Sequence, residues 1–330
     1  MTHALLPKPA LSKRHPLVSI GMSVYNTGPF IADAIASILA QTYVNWELII
    51  LDDGSQDDTL EIIRQFDDPR IRVISDGTNK GLPARLNQAV DLAKGTLFAR
   101  MDGDDICWPD RLEKQVAYLH AHPEVDLLAA ELLTFRTDGT VDGRQAFYGE
   151  THAEITRAPW SGMHMNHATW VGHIAWFRAN RYNEDAVRME DEELMLRSYR
   201  HSCFARMPDI LYGYRVDELS LTKILRARRG FMAMMFREAQ RQRDPRLLIG
   251  VLTTALKACV DIFAIKSGLG YKILPHRASS PDSADIAEWR RIEALVDNVR
   301  LQHQRPERQL DRPPVPQPRP PYDPKRTESV

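Results

Sequence analysis

Two clusters of aspartates in the N-terminal half of the chain have the composition of a cation site. Asp52-Asp53-Gly54-Ser55 and Asp102-Gly103-Asp104-Asp105 each directly follow a short apolar run. Several carboxylates in one place are energetically costly unless a cation or hydrogen-bond donors compensate for their charge. Mg²⁺ and Mn²⁺ prefer oxygen ligands, and one or two carboxylates hold them, which leaves coordination positions for phosphates. The clusters therefore predict a site for Mn²⁺ or Mg²⁺ and a substrate diphosphate.

The apolar runs before these clusters are predicted strands of an α/β domain. The predicted strands are Leu17–Val24, Glu47–Leu51, Ile71–Ile74 and Thr96–Met101. The predicted helices are Phe30–Gln41, Asp57–Phe66, Leu82–Ala93 and one that begins at Pro109. This alternation predicts a mostly parallel sheet that is covered by helices on both faces. Ligands of such sheets bind outside the carboxyl ends of the strands, which is where both clusters lie.

Neighbouring residues add a third strand end and a second cation. The first predicted strand ends in Ser23-Val24-Tyr25-Asn26. Arg85, on the helix after Asn79-Lys80-Gly81, is a candidate to bind the same phosphate as the metal ion. Local structure explains part of the pattern equally well, with Asp57 as a helix N-cap and Asp52-Asp53-Gly54-Ser55 as a turn that starts a helix. Carboxylates at two strand ends together favour the cation site.

The chain divides into four regions in this interpretation. Residues 1–15 are an N-terminal extension. Residues 16–220 are one domain, in which residues 16–130 carry the acidic clusters and residues 131–220 complete the sheet and carry a second substrate. Spacing typical of a hairpin surrounds Asp138-Gly139 within the second of these parts. Residues 221–301 are predicted to be helical, with helices at Leu247–Ile265 and Ala284–Leu301. Residues 302–330 are rich in proline and charge, cannot bury a core, and are predicted to be a disordered tail.

The helical region allows two roles. Lys223–Arg246 is rich in arginine, and the apolar helix that follows has a narrow polar stripe. Basic residues beside an interfacial helix predict a peripheral membrane contact, which would suit a lipid-linked acceptor. The alternative is a pair of helices that packs on the catalytic domain or on a second subunit. Lys257 and Asp261 interrupt the helix, so it is not predicted to span a membrane.

Composition excludes several classes of protein. The 330 residues carry a formal net charge of −1, which provides no overall field to attract nucleic acid. The three cysteines are widely spaced and odd in number, which fits a reducing compartment better than a disulfide framework. Together with the lack of a signal-peptide pattern, this predicts a cytoplasmic protein. Neither a GxGxxG fingerprint nor a P-loop is present, so a dehydrogenase or kinase lacks support.

Several motifs in order resemble the family two inverting glycosyltransferases. They are Val18 to Asn26, Leu39 to Tyr43, Asp52 to Ser55 with Asp57 to Thr59, Asn79 to Leu82, Arg85 to Asn87, Arg100 to Asp105 and Pro109 to Leu112. The resemblance covers about residues 16 to 215. It implies a GT-A type fold, in which a mixed sheet binds a nucleotide-diphosphate sugar, followed here by C-terminal helices.

The resemblance also assigns roles to individual residues. Asp53 would recognise the base of the nucleotide, usually uracil, in a pocket lined by Ser23 and Tyr25. Asp102 and Asp104 match the family's acid-x-acid motif, with Asp104 as metal ligand and Asp102 near the ribose or the metal. The donor would be a nucleotide-diphosphate sugar, and the acceptor a glycan or a lipid-linked glycan.

The catalytic base is expected at the start of a later helix. Met189 to Arg197 resembles the family's acid pair, with Asp191 as the base and Glu190 as the alternative if the register differs by one residue. An inverting transfer needs a carboxylate that removes the proton of the acceptor hydroxyl. The segment Asn166-His167-Ala168-Thr169 resembles the family's histidine-x-threonine segment but has alanine where proline is common.

The resemblance predicts the addition of one sugar in cell-surface polysaccharide or lipopolysaccharide synthesis. The chain lacks the glutamine-x-x-arginine-tryptophan motif of processive synthases. Two alternatives stay open, a nucleotidyltransferase on a similar fold and a catalytically silent scaffold that binds sugar nucleotides. The first would need a glycine-rich phosphate loop after the first strand, and the second would have lost its carboxylates. The sequence does not determine the oligomeric state.

Overall fold

A computed structural model of the chain describes residues 15–145, 149–163, 165–186, 188–216, 221–266 and 281–304. Nearly all of the predicted N-terminal extension, and the predicted tail beyond residue 304, lie outside these ranges. The domain boundaries themselves stay a prediction.

The N-terminal half forms the parallel part of the sheet. Its strands are β1 (Val18–Val24), β2 (Trp46–Asp52), β3 (Ile71–Ser75) and β4 (Leu97–Asp102), which lie side by side in the order β3-β2-β1-β4. The helices between them are α1 (Gly28–Leu39), α2 (Thr59–Ile63) and α3 (Leu82–Leu92). All four predicted strands are confirmed, whereas α2 is much shorter than the predicted Asp57–Phe66.

The second half of the domain extends this sheet with strands of both directions. The elements are β5 (Ile106–Cys107), α4 (Arg111–Ala121), β6 (Leu127–Phe135), β7 (Val141–Gln145), α5 (His152–Ile155), β8 (Val171–His173), α6 (Ile174–Ala179), α7 (Glu190–Ser198) and β9 (Phe204–Arg215). Strand β8 is antiparallel to β4 and β6, while β9 is parallel to β6 and antiparallel to β5. The described residues thus form a nine-stranded mixed sheet, which confirms the predicted fold class.

The hairpin predicted at Asp138-Gly139 joins β6 to β7. Gly139 adopts a positive φ of 82°, a conformation that glycine reaches without steric cost, and the amide of Arg136 donates to the carbonyl of Thr140.

Side chains that alternate along the strands build a core on each face of the sheet. Ile20, Leu48 and Ala99 pack with α1 and α4 on one face. Phe98 and Leu127 point to the other face, where α3, α6, α7 and α8 (Leu221–Gln242) cover the sheet. Burial on both faces explains why these strands are continuous apolar runs in the sequence.

The helices that follow β9 pack in two different places. Helix α8 packs on α9 (Leu247–Lys266), and α10 (Ser283–His303) returns to pack against α1. Trp289 of α10 is 1% exposed and stacks on Phe135 with ring centroids 4.2 Å apart. Its indole nitrogen donates to the carbonyl of Gly139 at 3.1 Å, so α10 fixes the hairpin of β6 and β7.

Among the described residues, no helix has both the length and the hydropathy that crossing a bilayer requires.

Removal of the Trp289 side chain tests the docking of α10. We expect Trp289→Ala to lower the free energy of unfolding by about 3 to 5 kcal/mol, because it leaves a cavity where an aromatic cluster was packed. Leu301→Ala on the same helix is the control, since Leu301 is 76% exposed and its loss costs roughly 0.5 kcal/mol or less. Chemical denaturation measures both, and equal effects would show that α10 is not docked as described.

Candidate active site

The register of the sheet brings the ends of three strands together. Ser23 of β1 pairs with Asp102 of β4, and Val24 pairs with Asp52 of β2. The backbone amide of Asp53 donates to the carbonyl of Val24 at 2.8 Å. The two aspartate clusters therefore leave the same edge of the sheet on either side of β1, as the sequence predicts.

Three carboxylates form a compact group after β4. One oxygen from each of Asp102, Asp104 and Asp105 lies within 4.8 Å of the others. Burial, followed by the charge of Asp102, raises the pKa of Asp104 to about 6 and that of Asp105 well above its usual value. Oδ2 of Asp105 is buried and accepts no hydrogen bond from the described residues. The group thus lacks full compensation for its charge.

Residues from distant parts of the chain hold this acidic loop. The guanidinium of Arg100 pairs with Asp102 at 2.5 Å, and the amide of Asp102 donates to the hydroxyl of Tyr212 at 3.1 Å. Arg215 donates its amide to Asp105 at 2.7 Å and its Nε to the carbonyl of Asp104 at 2.8 Å. These contacts fix the backbone and leave carboxylate oxygens of Asp102 and Asp104 available. A ligand set made only of oxygens fits Mn²⁺ or Mg²⁺.

Asp53 directly follows β2 and is held in a fixed orientation by hydrogen bonds. Its Oδ1 accepts from the amide of Lys80 at 2.7 Å and from Nε of Arg85 at 2.9 Å, and its Oδ2 accepts from the amide of Gly81 at 3.0 Å. Arg85 is fully buried and also binds Asp76 at 2.6 Å. The structure therefore shows Arg85 orienting Asp53, while its predicted contact with a phosphate stays a prediction.

The two predicted pocket residues of β1 differ in exposure. Ser23 is half-buried beside Asp102, and Tyr25 is 48% exposed just beyond the strand. Asp57 lies nearby but accepts from the amides of Gly28 and Thr59 at 3.0 and 3.1 Å, so it serves the start of two helices. The N-cap of α2 is Asp58 rather than Asp57, so the alternative is wrong by one residue, although the hydrogen bonds of Asp57 do hold the first residues of α1 and α2.

The predicted acid pair begins α7. Glu190 is 8% exposed, and its Oε2 accepts no hydrogen bond from the described residues. Burial and then the charge of Asp191 raise the pKa of Glu190 to about 7, with a further contribution from Asp102. Burial also raises the pKa of Asp191, against backbone hydrogen bonds and the charge of Arg100. The charge of Arg100 influences the pKa of both acids and that of Asp102 influences the pKa of Glu190, so the acid pair lies within electrostatic range of the acidic loop.

Tyr182, whose pKa is raised by burial and by the charges of the acid pair, contacts His167. The hydroxyl of Tyr182 lies 3.0 Å from Nε2 of His167. The charge of Arg100 influences the pKa values of both side chains. Burial and the charge of Arg100 hold the pKa of His167 well below its usual value, so this imidazole is neutral at pH 7. Asn87 fixes Tyr182 through hydrogen bonds of 2.9 Å to its amide and carbonyl.

Comparison with known proteins identifies the family. The model of the family described as "Glycosyl transferase family 2" matches residues 19–182. EpsE of Bacillus subtilis (strain 168), which is assigned as a glycosyltransferase, is 36% identical over 214 residues that cover 61% of this chain and 74% of EpsE. The chain belongs to glycosyl transferase family 2.

A second relative of this family 2 glycosyltransferase has a more specific name. It is the UDP-Glc:alpha-D-GlcNAc-diphosphoundecaprenol beta-1,3-glucosyltransferase WfgD of Escherichia coli. It is 40% identical over 103 residues, which cover 31% of this chain and 41% of WfgD. The similarity thus extends over less than half of that protein.

Solved structures agree on the fold. S. aureus TarS 1-349 in complex with UDP-GlcNAc has a TM-score of 0.57 at 16% identity, over 86% of this chain and 89% of that one. The mannosyltransferase PcManGT of Pyrobaculum calidifontis, in complex with GDP-Man and Mn²⁺, has a TM-score of 0.55 at 15% identity, over 92% and 90%. At these identities, the comparison shows the GT-A type fold alone.

Sequence reasoning missed several residues of the site in this glycosyltransferase. Arg100 had a local signal, because an arginine two residues before Asp102 in a strand points to the same side of the sheet. Tyr182, Tyr212 and Arg215 had none, since Tyr182 and the strand β9 that carries Tyr212 and Arg215 are far from the acidic loop in the sequence.

The pKa of Glu190 predicts a pH-dependent stability. A carboxyl group whose pKa is raised on folding binds its proton more tightly in the folded state, so stability falls as pH rises from about 4.5 through 7. We expect Glu190→Gln to remove this loss, with a gain on the order of 1 to 3 kcal/mol at pH 8 and little gain at pH 4.5.

Unfolding of both proteins across this pH range measures the difference. The exposed Glu61→Gln on α2 is the matched control and is expected to show no such trend. A constant difference between Glu190→Gln and the unchanged protein at all pH values would contradict the burial of an ionisable group at this position.

Proposed function

We propose that this glycosyltransferase moves one sugar from a nucleotide-diphosphate sugar to a hydroxyl group of a glycan or lipid-linked acceptor, with inversion at the anomeric carbon. The observation that carries the proposal is that the acid pair of α7 lies within electrostatic range of the acidic loop after β4. One group can hold the donor diphosphate while the other activates the acceptor. The name of WfgD, which includes a diphosphoundecaprenol-linked sugar, supports a role in cell-surface polysaccharide synthesis.

The geometry of Asp53 supports a UDP-sugar as the donor. A carboxylate has about four acceptor positions, and three at Asp53 are occupied by Lys80, Gly81 and Arg85. The remaining position suits the single imide N–H of uracil. Tyr25, exposed at the end of β1, provides a ring on which the base can stack, and Ser23 lines the same pocket. The complex of TarS with UDP-GlcNAc supports this choice of nucleotide.

Asp102 and Asp104 would hold the metal ion, with Asp105 beneath them. When bound, Mn²⁺ or Mg²⁺ would neutralise the charge of the departing diphosphate. The Mn²⁺ complex of PcManGT supports a divalent cation in this fold. Arg100 limits the negative charge by pairing with Asp102, and Arg215 keeps Asp104 and Asp105 on the side of the pocket where the diphosphate would lie.

Asp191 is the proposed base, and Glu190 precedes it at the start of α7. A general base works best when its pKa lies near the pH at which the enzyme operates. Burial raises the pKa values of both carboxyl groups, and the charge of Asp191 raises that of Glu190 further. Asp191 is half-buried and therefore accessible to an acceptor hydroxyl, whereas Glu190 is buried.

We place the enzyme in the cytoplasm, at the inner face of the membrane where lipid-linked acceptors are found.

The two alternative functions have less support. The family assignment weighs against a nucleotidyltransferase. The carboxylates in both acidic motifs favour an enzyme over a silent scaffold.

Thermal unfolding with a panel of nucleotides tests the donor site. We expect UDP to raise the melting temperature only when Mn²⁺ is present, because ligands that bind the folded state alone stabilise it by mass action. GDP, CDP, dTDP and ADP serve as matched controls. A shift with GDP alone would contradict the role of Asp53, and no shift with any diphosphate would contradict the donor site.

Substitution of the base separates catalysis from binding. Asp191→Asn is expected to bind UDP with Mn²⁺ as the unchanged protein does, and to lose sugar transfer by a factor on the order of 10² to 10⁴. Asp297→Asn is the control, since this aspartate lies in an exposed ion pair with Arg300 on α10. Product formation with membrane-extracted acceptor measures both, and normal turnover of Asp191→Asn would exclude it as the base.

A further inference from the structure

Helix α9 presents its apolar side chains to solvent. Its exposed residues form one stripe at intervals of three or four positions, which we call the α9 stripe: Ile249, Leu252, Leu256, Val260 and Phe263. Leu252, Leu256 and Phe263 are 72%, 67% and 64% exposed. Single exposed apolar residues are ordinary, but a continuous stripe along a helix marks an interaction surface.

Two polar residues of α9, Thr254 and Asp261, are buried on the side opposite the stripe. Asp261 is 4% exposed and pairs with Arg228 of α8 at 3.0 Å, and Thr254 is equally buried. Gly250 packs against the backbone of Trp160, where a side chain would not fit. These contacts fix the rotation of α9 about its axis, so the stripe must face outward.

The two helices α8 and α9 are strongly basic. Residues 221–266 contain ten lysines and arginines and three acids. All three acids are buried and paired with arginines: Glu238 with Arg241, Asp244 with Arg246, and Asp261 with Arg228. Exposed basic side chains lie on both helices and in the turn between them: Arg226, Arg229, Arg237, Arg243 and Lys257. The exposed surface of this pair of helices therefore carries positive charge that no exposed acid of the pair offsets.

The apolar stripe and the basic charge together decide which of two partners fits this surface. A second copy of the helical hairpin formed by α8 and α9 would bring two basic surfaces together, and like charges across an interface oppose association. An anionic lipid surface satisfies both features, because acyl chains accept the apolar stripe and headgroups attract the basic residues. We propose that the α8–α9 hairpin docks on an anionic lipid bilayer, with α9 lying in the plane of the interface. The stripe would lie along roughly 20 Å of that interface, from Ile249 to Phe263.

The docked hairpin would lie next to the proposed acceptor side of the active site. Nε2 of Gln242 on α8 donates to the carbonyl of Leu196 on α7 at 3.0 Å. Gly230 of α8 faces Met189, the residue directly before Glu190, at a distance that leaves little room for a side chain. A bilayer bound to α9 would therefore hold the start of α7 near the lipid headgroups, where a lipid-linked sugar would be presented.

Co-sedimentation of the full chain with vesicles tests the docking without donor, acceptor or metal, so its result does not depend on the proposed catalysis. Vesicles of phosphatidylglycerol and phosphatidylcholine are compared with vesicles of phosphatidylcholine alone. We expect binding to the anionic vesicles, weakened by salt. The double variant Leu252→Gln/Leu256→Gln should lower the partition coefficient about tenfold per substitution, with an unchanged melting temperature.

Two further variants sharpen the test. Val44→Gln/Leu301→Gln is the matched control, because these residues are 73% and 76% exposed outside the hairpin, and it should bind as the unchanged chain does. Arg226→Gln/Arg229→Gln/Arg237→Gln should lose about fivefold per arginine on anionic vesicles only. Equal binding by the leucine variant and the control would overturn the proposal. So would a lack of binding to anionic vesicles, or a lipid-free dimer that the leucine variant abolishes.

Discussion

Three carboxylates within 4.8 Å of one another at the end of β4 set the main constraint on this structure. Burial, followed by the repulsion between these carboxylates, raises the pKa values of Asp104 and Asp105, so the loop needs surroundings that supply positive charge and hydrogen-bond donors. Arg100 supplies charge from within β4, and Arg215 supplies donors from the end of β9. These residues compensate for part of the negative charge of the loop. A divalent cation, bound together with a diphosphate, would compensate for the rest.

The architecture of the second half of the domain follows from the same constraint. Strand β9 ends beside the acidic loop and delivers both Tyr212 and Arg215 to it. Helix α7 begins where the charges of Asp102 and Arg100 still influence the pKa of Glu190, so the acidic loop and the acid pair are linked electrostatically. Helix α8 packs on α7 and on α9. The helix that carries the proposed base is therefore in contact with the pair of helices that is proposed to face the lipid.

The sequence predicted β1, β2 and β4 well because each is buried on both faces and is therefore an apolar run. The positions of Asp53, Asp102 and Asp104 were predictable because strand ends fix where their side chains emerge. The strand β6 and the long β9 were harder, since β6 pairs with β8 and β9, and β9 also pairs with β5, across long separations in the chain. For the same reason, Tyr212 and Arg215 could not be predicted as neighbours of the acidic loop. Arg85 was predicted to reach a phosphate, but its burial against Asp53 and Asp76 depends on tertiary contacts that spacing does not reveal.

The binding of Mn²⁺ in the presence of UDP tests most directly whether the acidic loop is a metal site. Calorimetric titration of Mn²⁺ into the unchanged chain and into Asp104→Asn compares proteins that differ in one carboxylate oxygen. We predict one Mn²⁺ per chain for the unchanged protein, and an affinity at least about tenfold lower for Asp104→Asn, because a charged ligand is replaced by a neutral amide. Equal affinities in the two proteins would contradict the assignment of the acidic loop as the metal and diphosphate site.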